Sequence, residues 1–178
     1  MSVLSWGKPE IIVKSEEDGA IYRLMATPVE GSTSLETTEG DKTEAKKEGG
    51  EIVDVRNNKS TYVLNYEIYA EKGKKKPFAD QDGIITKSYS IFVVPEDENA
   101  IGIAMKKSKV VMNTSFTAAD GVKYAVSHTA LSNGEKDSSG EDIPQCQFGY
   151  VKVTKDAEGK ITNVEIEEVE AEADVVVS

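Results

Sequence analysis

"TYVLNYEIYA", residues 61–70, puts Tyr62, Leu64, Tyr66 and Ile68 on one side of an extended chain and Asn65 and Glu67 on the other. Side chains alternate across a strand, so this is the signature of a half-buried antiparallel strand. The run stops at "EKGKKKPFADQDG", where Gly73, Pro77 and the Asp82–Gly83 pair supply turn residues. It resumes as "IITKSYSIFVV" (84–94), with Ile85, Tyr89, Ile91 and Val93 sharing a face. The two strands predict a hairpin with a long connection.

The same pattern recurs outward along the chain. "EIIVK" (10–14) and "AIYRLMA" (20–26) flank Asp18–Gly19, and "KVVMNTSFTA" (109–118) and "VKYAVSHTAL" (122–131) flank Asp120–Gly121. "CQFGYVKVTKD" (146–156) and "GKITNVEIEEVE" (159–170) meet at "AEG". Tight turns cannot join parallel neighbours, so three tight hairpins and a longer one predict a mainly β fold, an antiparallel β-sandwich or partly closed β-barrel. "VPEDENAIGIAMKK" (94–107) leaves room for one short flanking helix. Pro95, the acids at 96–98 and the lysines at 106–107 suit a helix, whereas Ile101, Gly102 and Ile103 suit a strand.

Between the first hairpin and residue 61 lies "PVEGSTSLETTEGDKTEAKKEGGE" (28–51), whose only apolar side chains are Val29, Leu35 and Ala45. So polar a segment cannot bury enough surface to offset the entropy of ordering it, and it reads as a long polar arm that a neighbouring subunit orders. Leu35, Glu36, Glu39, Asp41, Glu44, Lys46, Lys47 and Glu48 are its candidate contact residues. The domain reading is one β domain over 1–160, including the arm, followed by an acidic strand or extension over 161–178.

Composition narrows the function. The formal charge of −11 argues against a nucleic-acid binder, which presents a basic face to phosphates. No run approaches the roughly 20 apolar residues of a membrane helix, and no signal peptide is visible at "MSVLSWGKPE". Cys146 and His128 are each the only residue of their kind, which removes disulfides, thiolate metal clusters and most triads. "DQDG" (80–83) resembles the start of a calcium loop, but the twelfth position is Ile91 where a bidentate Glu is required, so a turn is expected. The acids of "PEDENA" (95–100) read as a solvated turn or helix start. His128 reads as a satisfied, half-buried core histidine and Cys146 as an inert thiol. No catalytic residue, cofactor or metal is expected, and the chain reads as a protein that acts through its surface.

Its charges are clustered. Glu165, Glu167, Glu168, Glu170, Glu172 and Asp174 follow one another with no Lys or Arg among them. "KGKKK" supplies Lys72, Lys74, Lys75 and Lys76, a candidate charge-matching patch for the acids of 36–51 or 165–174 on a neighbour.

"TPVEGSTSLETTEGDKTEAKKEGGEIVDVRNNKSTYVLNYEIY" (27–69) and "KKPFADQDGIITKSYSIFVVPEDENAIGI" (75–103) together resemble major tail tube proteins of long-tailed bacteriophages, in the form carried as prophages of gut Bacteroidales. The shared features are a hairpin start, a Thr-, Glu- and Gly-rich arm ending in "EGGE", a long strand after it and a "PED" turn. The resemblance spans roughly Gly7 to Tyr150 and leaves out the acidic end. It implies a β-sandwich or partly closed barrel assembling as stacked, hexameric rings around a channel through which DNA passes without specific binding. It also implies other tail proteins as partners, no membrane, and assembly in the host cytoplasm before incorporation in the virion tail. The alternative is a non-enzymatic β-sandwich binding or adhesin-like module.

Overall fold

The computed structural model describes residues 7–16, 21–132 and 134–173, and among them every regular element is a strand. In chain order these are β1 (Glu10–Ser15), β2 (Tyr22–Leu24), β3 (Ser34–Thr38), β4 (Lys42–Lys46), β5 (Ile52–Asn57) and β6 (Thr61–Tyr69). There follow β7 (Ile84–Val94), β8 (Gly102–Thr117), β9 (Gly121–Ala130), β10 (Gln147–Lys155) and β11 (Ile161–Glu168). All pair antiparallel.

Nine strands form one sheet in the order β2-β1-β7-β8-β9-β6-β3, with β10 and β11 branching from β8. The branch arises because β8 changes partner along its length. Gly102–Ala104 pair with β10, whereas Ser108–Thr117 pair with β9. Two leaves therefore diverge from the same strand, and each folds over a different face of β1, β7 and β8.

Alternation along β1 records both faces: Ile11 and Val13 enter the main core with Leu64, Tyr66, Ile91 and Met105, whereas Ile12 enters a second cluster with Phe92, Ala104 and Val164. All three β1 residues are fully buried. Each side chain so buried contributes about 1.5–3 kcal/mol. The result is sandwich-like. The sheet does not close into a barrel, for β11 reaches β2 through a Tyr22 hydroxyl to Asn163 Oδ1 hydrogen bond (3.4 Å) and no ladder.

Where the leaves part, the backbones crowd. Gly102 and Gly149 are paired across β8 and β10. A Cβ on Gly149 would strike the Glu167 carbonyl, and one on Gly102 would stand 2.7 Å from both the Val93 carbonyl and Val151 Cγ2.

Three expectations change. First, no described residue of 94–107 is helical: Pro95–Ala100 is a turn and β8 begins at Gly102, because the β-branched and glycine residues lie where β7 and β10 both pair. Second, β6 and β7 are not a hairpin; β8 and β9 lie between them. Their connection crosses the main core, because Phe78 in it is buried against Tyr89 and His128 at centroid distances of 4.9 and 5.8 Å. Third, the polar arm is not an unstructured segment. Residues 34–38 are β3, paired with β6, and β4 opens a separate two-stranded ribbon whose second strand, β5, lies beyond residue 51.

The β1–β2, β8–β9 and β10–β11 hairpins form as expected, though the Asp18–Gly19 turn lies outside the described residues. Residue 160 falls in the β10–β11 turn, and β11 belongs to the same sheet as the rest.

Candidate assembly surface

The β4–β5 ribbon leaves the body after Gly40 and rejoins it at Asn58, whose N–H donates to the Asp41 carbonyl (2.9 Å). Every residue from Asp41 to Lys59 is exposed. A two-stranded hairpin on its own is marginally stable in water, so the ribbon gains little from its ladder alone. Its apolar side chains are unburied: Ile52, Val53 and Val55 are 49%, 51% and 43% exposed. Val55 lies opposite Glu44, and Val53 sits at the bulge where the register shifts between Ala45 and Lys46. Covering these three aliphatics would contribute on the order of 1 kcal/mol each.

The eight residues expected in the arm are split by this geometry. Leu35 and Glu36 lie on β3, with Leu35 packed against the main core of its own chain, so Leu35 is a body residue and not an arm contact. Glu39 precedes the ribbon and pairs with Lys42 (3.7 Å), and Asp41 holds its base. Glu44 and Lys46 pair along β4 (3.2 Å), and Lys47 and Glu48 form the tip, where Gly50 N–H donates to the Lys47 carbonyl. The apolar residues of β5 lie outside the eight expected, although "EIVDV" (51–55) carries a readable strand pattern directly after "EGG".

The lysine patch is also divided. Lys74 pairs with Glu71 (2.6 Å) and Lys76 with Asp80 (3.3 Å). Asp80 is held below the ordinary carboxylate range, first by the Gly83 N–H and also by Lys76. It anchors the Asp82–Gly83 turn, where both residues have positive φ (53° and 86°) and Gln81 and Ile84 exchange two backbone hydrogen bonds. Lys76 is thus a turn residue, and Lys72, Lys74 and Lys75 are the outward members.

One buried group resembles a nucleophile and base. Ser108 Oγ lies 3.1 Å from His128 Nδ1, and Tyr66 Oη 2.9 Å from His128 Nε2. The protons are already assigned, since the Ser108 hydroxyl donates to the Tyr89 carbonyl (2.7 Å) and so accepts from Nδ1–H, leaving Nε2 to accept from Tyr66. With Nδ1 protonated, this histidine cannot take the serine proton. All three side chains are buried, more deeply than the half-buried position expected of His128. Burial lowers His128 to about 3, and pushes Tyr66 far above the usual phenol range with Arg23 acting against it. Burial likewise raises the Cys146 thiol to about 12. Among the described residues no group of His, Cys, Asp and Glu is arranged to hold a metal ion, and no helix is long and apolar enough to cross a membrane. No family model and no curated protein matches this chain.

Proposed function

We propose that this protein is a self-assembling structural subunit, of the kind that builds phage tail tubes from stacked rings. The observation that carries the reading is the β4–β5 ribbon, which projects three aliphatic side chains that its own chain leaves uncovered. A second copy supplies the missing cover at high local symmetry, and open strands at β3 and β2 offer backbone groups for sheet continuation between copies. The resemblance of residues 27–69 and 75–103 to tail tube proteins supports a tube as the form of the assembly.

The test is replacement of residues 42–57 by a short Gly-Ser linker. A deletion of 32–49 would remove β3 from the body and halve the ribbon, whereas 42–57 removes the exposed ribbon alone. Sedimentation and negative-stain images of the wild type are expected to show rings or filaments, and those of the variant a folded monomer. Filaments of wild-type length from the variant would overturn the role of the ribbon. A wild type that stays monomeric at all concentrations, with or without tail proteins, would favour the binding-module alternative.

A further inference from the structure

β8 runs on past its neighbour β7. The β7–β8 ladder ends at the Ile84–Val111 pair, and the Met112 N–H makes the last bond on that side, to the Gly83 carbonyl (3.3 Å). The Asp82–Gly83 turn then carries the chain away, whereas β8 continues to Thr117 paired only with β9. Residues 113–117, "NTSFT", are thus an exposed strand with one open edge, toward which alternation turns the N–H and C=O of Thr114 and Phe116. A notch of about 630 Å³ lies there in line with β7, between Asn113 and Thr114 on one side and Asp82 on the other.

This edge is undefended. The edge strands β2, β3 and β11 carry Arg23, Glu36 and Glu165, whereas residues 113–117 have no charge, no proline and no bulge, and Phe116 is 72% exposed. Such an edge accepts another strand. The ribbon is a strand pair that lacks a third member, and the outer edge of β5 is open as well.

We infer that β5 of one copy adds antiparallel to residues 113–117 of β8 in the next copy. The direction follows from side-chain chemistry. Antiparallel addition sets Ile52, Val53 and Val55 beside Phe116 and Arg56 beside Asp82, and parallel addition separates both sets. Among the described residues neither Arg56 nor Asp82 has an ion pair, whereas Asp80 is held by Lys76. Two-fold pairing of β8 with its own copy would instead bring Asp82 to the Thr117–Asp120 turn, where Lys123 is already held by Asp120 and Glu67. A chain's own ribbon falls short of the site. Arg56 lies five residues from Thr61, at most about 18 Å of chain. Asn113 is level with Glu67 through Ala125, which places it roughly 20 Å along the sheet from Thr61 and about 10 Å across. The contact joins two different surfaces, so it propagates from copy to copy. It rests on the proposed assembly and names the surface that receives the ribbon.

The test is a double-mutant cycle on assembly, read by sedimentation and negative stain, with thermal melts to confirm folding. Arg56→Gln and Asp82→Asn, the latter suited to the positive φ of that turn, are each expected to weaken assembly threefold or more, and the double variant no further than either single. Phe116→Ser is expected to weaken it at least tenfold. Single variants that assemble like the wild type, or losses that simply multiply in the double variant, would overturn the docking. If replacement of residues 42–57 still abolishes filaments, the assembly reading stands without this contact. A backbone-cyclised peptide of residues 41–59 added to full-length protein gives a readout that needs no filaments. It is expected to bind, and to bind at least tenfold more weakly to Phe116→Ser. No binding, or equal binding to that variant, would overturn the docking, as would disulfide dimers formed by Ser115→Cys alone, which mark two-fold pairing of β8.

Discussion

His128 carries its neutral form inside the core because both ring nitrogens are already committed, Nδ1–H to Ser108 and Nε2 to the Tyr66 hydroxyl. A second proton would displace the Tyr66 donor and leave a charge buried in the core. The unfolded chain takes up that proton near the ordinary histidine pKa of about 6.5, whereas the folded chain resists until about 3. Between these values the unfolded state binds more protons, so stability falls as pH falls. Urea unfolding is expected to show full stability above about pH 6.5 and a loss approaching 1.4 kcal/mol per pH unit below it. His128→Asn, which keeps a donor toward Ser108, should flatten that slope between pH 6.5 and 5 even if it lowers stability throughout. Gly149 illustrates a steric limit at the same scale. Gly149→Val places a side chain where the Glu167 carbonyl already stands, and should lower stability by several kcal/mol or prevent the β10–β11 hairpin from docking. Thermal melts check this, with Tyr150→Val as the exposed neighbour that should melt near the wild type.

At the level of elements, the ribbon and the strands of the body obey different physics. β6 is stable because its inward residues enter the main core, whereas β4 and β5 have neither a covered face nor a third strand. Val53→Asp/Val55→Asp should therefore leave unfolding within about 0.5 kcal/mol of wild type, as surface changes do, while reducing assembly severalfold by light scattering. A large loss of stability would show that the ribbon is packed on its own chain. The β6–β7 connection shows the converse. Its composition is that of a surface loop, yet Phe78 anchors it over His128 and Arg23 spans it, donating to the Pro77 carbonyl at 2.8 Å with its guanidinium over the Phe78 ring. One buried aromatic residue converts a lysine-rich loop into a fixed rim.

Across the whole molecule, the charge of −11 makes identical copies repel unless opposite charges are brought together. Lys74 and Lys75 lie beside Tyr124 at one end of the sheet and the acids after Glu165 begin at the other, so in the proposed assembly a head-to-tail approach would bring opposite charges together. Reversal of Lys74 and Lys75 should slow assembly more at about 20 mM salt than at about 300 mM, because screening shortens the reach of these charges to a few ångströms. An equal effect at both would remove charge matching from assembly. Lys76 is left out of that variant because its pairing with Asp80 holds a turn.

The sequence by itself determined most strands outside residues 28–57 and most hairpins, since alternation such as Tyr62-Leu64-Tyr66-Ile68 and turns such as Asp120–Gly121 are local properties that each segment carries alone. It also determined that Cys146, the only cysteine, would have no disulfide partner and that "DQDG" would be a turn, whereas the burial of that thiol is a tertiary outcome. Only the tertiary structure decided that β6 and β7 lie two strands apart, that β8 serves two leaves, and that residues 28–51 divide between a body strand and half of a ribbon. Those outcomes depend on which apolar faces meet across the core. A pattern of period two states that a strand has an inner face, but not which strand it will lie against.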